Sequence, residues 1–274
     1  MTRKLFPVLL CAVLAAAVAG CLNSGSGSEP VKLATYNIQI GRGMDRRYNI
    51  DRTVEALRRI SAETIVLNEV DVGTKRSFGV DQASYLGGKL KMNSVFGRAS
   101  DRPGGVYGNA VLSVYPIEKL AVLDLPATPR ESRSALVVKI CAPKPYYVIA
   151  THLSYEQKPE VEKQRLKSID LIAGYVRQKK LSPVLLCGDL NSHVGSPVIR
   201  QVQEQGFRIV NSLNGDMLSC PAKKPTALLD YICVYPADAA RTVDCRVLDE
   251  PLASDHRPVR AELLFQLSSF SSKQ

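Results

Sequence analysis

The chain has 274 residues, 45% hydrophobic and 23% charged, enough for one large domain with a substantial core. Neither an internal repeat nor a second linker breaks it, which excludes a repeat array or a string of small modules. The formal charge of +10 favours anionic partners such as phosphorylated small molecules, nucleic acid or anionic lipid head groups, although a generic solubility charge would give the same balance.

Arg3 and Lys4 form a basic start, and Leu5 to Gly20 is an uncharged core too short to span a membrane comfortably. It ends in Val18-Ala-Gly-Cys21, which resembles a bacterial lipobox. That resemblance implies loss of residues 1–20 as a signal peptide, a lipid on Cys21, and a protein exported and anchored in a bacterial envelope, at the periplasmic face or the cell surface. An ordinary secretory peptide with a chance cysteine is the alternative. The Ser/Gly-rich residues 21–30 read as a flexible tether, 31–266 as the catalytic domain and 267–274 as a polar tail. Five cysteines then remain: Cys141, Cys187, Cys220, Cys233 and Cys245. Export permits disulfides, but an odd count leaves one thiol free or paired between chains. No spacing among them resembles a zinc site, and Cys187 and Cys233 sit in apolar runs as small hydrophobes.

Along the domain, Val31 to Tyr36 reads as the first strand, and Asp51 is placed to cap a helix through Val54, Leu57 and Ile60. Thr64 to Leu67 is the next strand, and Asp81 to Lys91 a helix interrupted by Gly87-Gly88. Strands follow at Ala110 to Val114, Leu120 to Leu123, Ala135 to Ile140 and Tyr146 to Ala150. A long helix from Lys158 to Lys180 carries Val161, Leu166, Ile169, Leu171, Ile172 and Val176 on or near one face. Val184 to Cys187 is a strand, Pro197 to Gln205 a helix, and Leu229 to Val234, Thr242 to Val247 and Val259 to Phe265 close the chain as strands. Strands outnumber helices, and helices separate groups of strands. The pattern predicts an α/β fold of two sheets packed face to face with helices outside. The run of consecutive strands between residues 108 and 152 argues against an α/β barrel or a doubly wound sheet.

Three apolar runs stop at polar residues suited to phosphate or metal: Thr64-Ile-Val-Leu-Asn-Glu69, Tyr146 to His152, and Pro183 to Asn191. A fourth element, Ser254-Asp-His-Arg-Pro258, sets an acid beside an imidazole. Strand ends fix such groups while loops expose them, so the set describes a hydrolytic, metal-assisted site. Glu69 is a hard carboxylate suited to Mg²⁺ or Mn²⁺. His256 can accept a proton near neutrality, which makes it the preferred general base.

Thr35-Tyr-Asn-Ile38, Leu67-Asn-Glu-Val70, Gly108-Asn-Ala-Val-Leu-Ser113, Thr151-His-Leu153, Gly188-Asp-Leu-Asn191, Asp230-Tyr-Ile232 and Ser254-Asp-His-Arg-Pro258 occur in one order. In this order they resemble the endonuclease/exonuclease/phosphatase superfamily, which includes deoxyribonucleases, abasic-site endonucleases, neutral sphingomyelinases and inositol polyphosphate phosphatases. The resemblance spans about Val31 to Phe265. It implies a four-layer α/β/β/α sandwich with two mixed β-sheets, and cleavage of phosphoester bonds with a divalent metal. It assigns Asn37 and Asp255 to the metal side with Glu69, and Asp230 as the acid that partners His256. It places His152 on the phosphoryl oxygens, Asp189 on the attacking water and Asn191 toward the phosphate. Arg133 resembles a supporting arginine, and Asn109 a polar residue that positions His152. Asn68 stands where many relatives have Gln, and Leu190 where many have Phe.

Substrate choice belongs to the loops. Lys75, Arg76, Arg42 and Arg102 are placed to clamp a second phosphate, or are simply solvated. The segment Glu69-Val-Asp-Val-Gly-Thr-Lys-Arg-Ser77 resembles one found in a group of bacterial metal-dependent hydrolases. The expected substrate is a small phosphodiester or phosphomonoester, a lipid head group or sugar phosphate among them. Nucleic acid is possible but not favoured, because the chain lacks Trp and a long basic helix. A membrane-inserting aromatic hairpin is not apparent either. A non-catalytic binding lipoprotein is the alternative of another class; it predicts broken motifs, whereas every principal acid, amide and imidazole is in place. A monomer is expected.

Overall fold

The computed structural model describes residues 29–128 and 131–266. The signal peptide, Cys21, most of the tether and the polar tail lie outside the described residues. The strands are β1 (Val31–Asn37), β2 (Thr64–Val72), β3 (Asn93–Arg102), β4 (Gly105–Ser113), β5 (Ile117–Thr128), β6 (Glu131–Ile140), β7 (Tyr146–His152), β8 (Val184–Asp189), β9 (Arg208–Ile209), β10 (Asp230–Tyr235), β11 (Ala240–Val247) and β12 (Val259–Phe265). The helices are α1 (Ile50–Ile60), α2 (Gln82–Leu90), α3 (Pro159–Gln178) and α4 (Pro197–Glu204).

Two six-stranded sheets form, in the orders β11-β12-β1-β2-β4-β3 and β5-β6-β7-β8-β10-β9. Each has one parallel pair at its centre, β1 with β2 and β7 with β8, flanked by antiparallel neighbours. Between the sheets lies an apolar layer. Leu33, Val66, Val111 and Leu263 of the first sheet meet Leu136, Val148, Leu185 and Ile232 of the second. The outer face of the first sheet packs on α1 and α2 through residues such as Ile65, Val54, Leu57 and Leu86. The outer face of the second packs on α3 and α4 through Ile149, Leu186, Ile169, Ile172 and Val198. The central strands are thus covered on two faces, which is why Ile65 to Leu67, Val148 to Ala150 and Val184 to Cys187 read as apolar runs. The result is the expected four-layer sandwich.

Local departures have local causes. Helix α1 starts at Ile50, capped by Asn49, whose Oδ1 accepts from the Arg52 N–H at 3.1 Å, and not by Asp51. Asp51 instead sits in the first turn, where a carboxylate favours the helix dipole. On α3, Leu171 faces solvent, while the buried stripe includes Arg165. The Arg165 guanidinium donates to the carbonyls of Ser154 (2.8 Å) and Glu156 (3.0 Å), so the helix pins the loop that follows His152. Strands β3 and β9 were not expected. Strand β3 is a half-exposed edge rich in polar residues, and β9 is only two residues long.

Topology places the chemistry. The parallel pairs finish at one end of the sandwich, at Asn37, just past Glu69, at His152 and at Asp189, with Asn37 opposite Asn68 and His152 opposite Asp189 in register. Asp230 opens β10 directly opposite Asp189, and the 254–256 segment feeds into β12 beside β1. Gly188 allows the closest approach, with φ +141; a Cβ there would lie 1.8 Å from the Thr151 carbonyl oxygen.

Candidate active site

Strand β2 does not stop at Leu67 but runs on through a bulge. Asn68 and Glu69 together face Asn109, between the pairs Leu67–Ala110 and Val70–Gly108. Glu69 takes φ 58, the left-handed region that non-glycine residues rarely adopt. Bulges near active sites re-aim a side chain, and here the re-aimed group is the Glu69 carboxylate. The same strain recurs just beyond Asn37, where Gln39 (φ 45) and Ile40 (φ 53) are both left-handed.

Asn37 Nδ2 donates to Glu69 Oε1 at 3.0 Å and to Asp189 Oδ2 at 3.3 Å, while its Oδ1 accepts from the Gln39 N–H at 3.0 Å. As oriented, this amide bridges two carboxylates, and its oxygen accepts one hydrogen bond from the backbone. Gln39, two residues on, brings a second amide to the same cluster. Its Nε2 donates to Asp255 Oδ2 at 2.9 Å, and its Oε1 is buried with no hydrogen-bond partner. Burial pushes the Glu69 pKa up, and the Asp255 carboxylate adds to the rise, while the Asn37 amide opposes it. Glu69, Asp255 and the orphaned Gln39 oxygen are hard oxygen donors with excess negative charge, a set that fits a divalent cation such as Mg²⁺ or Mn²⁺. Asp189, Asp230 and His256 also bring ligand atoms within 4.8 Å of one another. There, however, Asp230 Oδ2 already accepts from His256 Nδ1 at 2.7 Å and from Ser219 Oγ at 2.6 Å.

The two histidines face this cluster from different sides. His256 turns Nε2 toward Asp189 Oδ2, 3.7 Å away. Burial disfavours its charged form, but Asp230 and Asp189 outweigh that and hold its pKa well above the ordinary value. His152 turns Nε2 toward Asp189 Oδ2 at 3.4 Å and toward the Asn191 amide nitrogen at 3.0 Å. Its Nδ1 lies 3.2 Å from Arg133 Nη1 and 3.4 Å from the Tyr107 hydroxyl. A guanidinium only donates, so Arg133 favours the lone pair on Nδ1 and the proton on Nε2, where Asp189 accepts; the Asn191 amide nitrogen, also a donor, opposes this tautomer. Burial and the Arg133 charge push the His152 pKa well below the usual range, which keeps the ring neutral. Burial pushes Asp189 up to about 7 against the pull of His256, with Asp230 and Glu69 adding to the rise.

The Asn109 side chain spends its hydrogen bonds on groups other than His152. It accepts from Asn68 Nδ2 at 2.8 Å and donates to the Ser134 carbonyl at 3.1 Å. Asn68 then donates to the Thr151 carbonyl and accepts from the Asp189 N–H, both at 2.9 Å. Asn109 therefore anchors Asn68, which ties the ends of β7 and β8 to the bulge. Asn191 takes φ 47, with its N–H on Asp189 Oδ1 at 2.9 Å and its amide nitrogen on the Leu153 carbonyl at 3.0 Å.

Two of the four loop cations are committed elsewhere. Arg76 makes a two-pronged ion pair with the buried Asp71, 2.8 Å at each contact, and Arg102 pairs with Glu131. Both guanidiniums also flank the Tyr107 ring, at 5.3 and 5.1 Å from its centre. They brace the residue beside His152 instead of reaching for a second phosphate; Arg42 and Lys75 remain exposed. Cys141, Cys187, Cys220, Cys233 and Cys245 are free thiols, with Cys187 and Cys233 buried. His193 is exposed on the loop beyond Asn191. No helix among the described residues is long and apolar enough to cross a membrane.

A sequence profile of the Endonuclease/Exonuclease/phosphatase family matches residues 34–256. The chain is 27% identical to protein YbhP of Escherichia coli (strain K12) over 248 residues, covering 85% of this chain and 95% of that protein. Among solved structures, an endonuclease/exonuclease/phosphatase from Beutenbergia cavernae DSM 12333 superposes with a TM-score of 0.71 at 22% identity, over 87% of this chain and 72% of that one. Sphingomyelinase C from Streptomyces griseocarneus superposes with a TM-score of 0.63 at 17% identity, over 86% of this chain and 99% of that one.

Proposed function

The chain belongs to the endonuclease/exonuclease/phosphatase family, whose members are hydrolases of phosphoester bonds, and from that premise we propose that it is a divalent-metal-dependent phosphoester hydrolase. Its substrate is a small phosphorylated molecule or lipid head group, and a lipid on Cys21 holds it to a bacterial membrane.

One observation carries the reading: two buried imidazoles with opposite protonation preferences converge on Asp189 Oδ2, at 3.4 and 3.7 Å. Such a pair divides the labour of hydrolysis. His256 takes the proton of the attacking water at Nε2, and Asp230, hydrogen-bonded to Nδ1, balances the imidazolium that forms. Asp189 orients that water. His152 donates from Nε2–H to a phosphoryl oxygen, a contact that strengthens as charge builds there. Asn191 contributes its amide beside it. Glu69, Asp255 and Gln39 would hold the cation, which supplies positive charge against the phosphoryl oxygens when bound.

The test is turnover of the full chain on a panel of phosphomonoesters, phosphodiesters, DNA and phospholipids with Mg²⁺ or Mn²⁺. Activity should vanish in chelator and return with metal. Full turnover in excess chelator would sink the metal assignment, and preference for DNA would move the reading to a nuclease. For the anchor, Cys21→Ser should release the protein from membranes or block processing; an unacylated mature chain starting elsewhere, seen by mass spectrometry, would contradict it.

A further inference from the structure

Beyond the acid–base centre, the loop after β8 and the long connection from β9 to β10 enclose a cleft of about 220 Å³. Val194, Leu213, Met217, Leu218 and Leu228 line it, together with His193 and Thr226. Nothing in the mechanism above uses it.

Its walls continue directly from residues of the site. His193 follows Asn191 by two residues, which keeps their Cα atoms within about 7.6 Å. Leu218 precedes Ser219, whose hydroxyl donates to Asp230 Oδ2 at 2.6 Å. Leu228 stands two residues before Asp230. The walls are tied together as well: the Tyr231 hydroxyl donates to the carbonyls of Ser192 (2.8 Å) and Leu228 (3.1 Å), and the Leu190 N–H donates to the Leu229 carbonyl at 2.9 Å. Ser219 and Cys220 pair with Ala227 across the connection, which closes it into a braced loop. The cleft is thus braced by the same segments that carry Asn191 and Asp230. Val194 is 41% exposed at one wall, a cost in water that an apolar ligand group would remove.

We infer that this cleft is a subsite for an apolar substituent on the phosphoester, a short alkyl, acyl or aryl group next to the phosphorus. The inference rests on the hydrolase reading for its place in a reaction, but the binding it describes does not need turnover. At about 30 Å³ per heavy atom, the share of one water molecule in the liquid, the cleft admits about seven atoms. Alkyl chains should therefore gain affinity up to about six carbons. Each buried methylene is worth about a fourfold gain.

Two series measured on the full chain test this. The first is the affinity of methyl- to hexylphosphonate by calorimetry, with Mg²⁺ present. The second is kcat/KM for methyl to hexyl p-nitrophenyl phosphate under the same conditions. Both should climb about fourfold per carbon. Val194→Asp should flatten the slope, as should Leu218→Asn, with thermal melts checking that each variant is folded. A flat affinity series in the wild type overturns the subsite, whatever the turnover. A rising affinity series without hydrolysis of any ester removes the hydrolase reading and keeps the subsite. A slope left intact in both folded variants assigns the apolar contact elsewhere and overturns the location.

Discussion

His152 and His256 approach Asp189 from two sides, and what faces Nδ1 in each separates them. At His256 the partner is a carboxylate, Asp230, at 2.7 Å; at His152 it is a guanidinium, Arg133, at 3.2 Å. Both rings are nearly fully buried, so desolvation pushes both toward neutrality. The outcome is therefore decided by the partner: His256 is pulled up and His152 is driven further down. One imidazole is prepared to take a proton and keep it, the other to donate a hydrogen bond without ever charging. Burial alone would have given two equivalent bases. The contrast is the arrangement hydrolysis needs, because the water and the phosphoryl oxygens make opposite demands.

The largest expected effect comes from removing the proton-accepting corner. His256→Ala should lower kcat by about 10²–10⁴ with little change in stability or fold. Asp230→Asn should be comparably severe, since an amide can hold the wrong tautomer and cannot balance an imidazolium. The sign of the pH dependence follows from the raised pKa. His256 keeps its proton above its ordinary value of 6.5, so the limb on which the rate rises lies above that pH and is absent in His256→Ala. A folded His256→Ala enzyme with near-normal turnover and an unchanged profile would end the assignment of roles.

His152→Ala should come next, with a loss of about 10²–10³ in kcat, the cost of removing one donor to a developing oxyanion. KM should change by no more than about threefold, because the contact is weak in the ground state. If KM rose while kcat held, His152 would be a ground-state phosphate contact, and the division of labour would collapse.

How far this contrast could be read beforehand depends on the kind of information each half needs. The sheets were legible because strands covered on both faces are apolar in their middles, as at Ile65 to Leu67, Val148 to Ala150 and Val184 to Cys187. The positions of Glu69, His152, Asp189 and His256 at one end follow from strand order once that is known. The partner of His152 was not legible. Arg133 and Tyr107 are 19 and 45 residues away in sequence, and only the register of β4, β6 and β7 brings them to Nδ1. Asn109 was assigned that task from motif position, yet the bulge at Asn68–Glu69 turns it to Asn68 instead. A bulge leaves little sequence trace when the residue in left-handed backbone is a glutamate. Gln39 was within reach, two residues past Asn37, but its meaning rests on an oxygen left unpaired by tertiary packing.

Arg133 is where the contrast can be broken without touching either ring. Arg133→Met removes the cation from Nδ1 and leaves Glu131, its other partner at 2.8 Å, close by. The His152 pKa should rise, while burial continues to oppose the charged ring, and Nδ1 loses the donor that favours its lone pair. Turnover should fall about 10- to 100-fold, the worth of a charge-assisted hydrogen bond. An NMR titration of His152 checks this directly. An unmoved His152 pKa would mean that burial alone keeps the ring neutral.

Tyr107→Phe gives the smallest expected change and the finest test. The hydroxyl lies 3.4 Å from Nδ1, at the long edge of a hydrogen bond, and shares that nitrogen with Arg133. The ring is held independently of the hydroxyl, between the Arg76 and Arg102 guanidiniums, so phenylalanine should keep its place and both cation–π contacts. Removing a weak second donor should cost about 0.5 kcal/mol, a two- to threefold drop in kcat with KM and melting temperature unchanged. Combined with Arg133→Met, the hydroxyl should matter more, because it would then be the remaining donor to Nδ1. The double-mutant cycle should therefore show coupling of the two changes rather than additivity. A loss of tenfold or more in the single Tyr107→Phe enzyme would make the phenol the group that sets the His152 tautomer and reduce Arg133 to a source of charge.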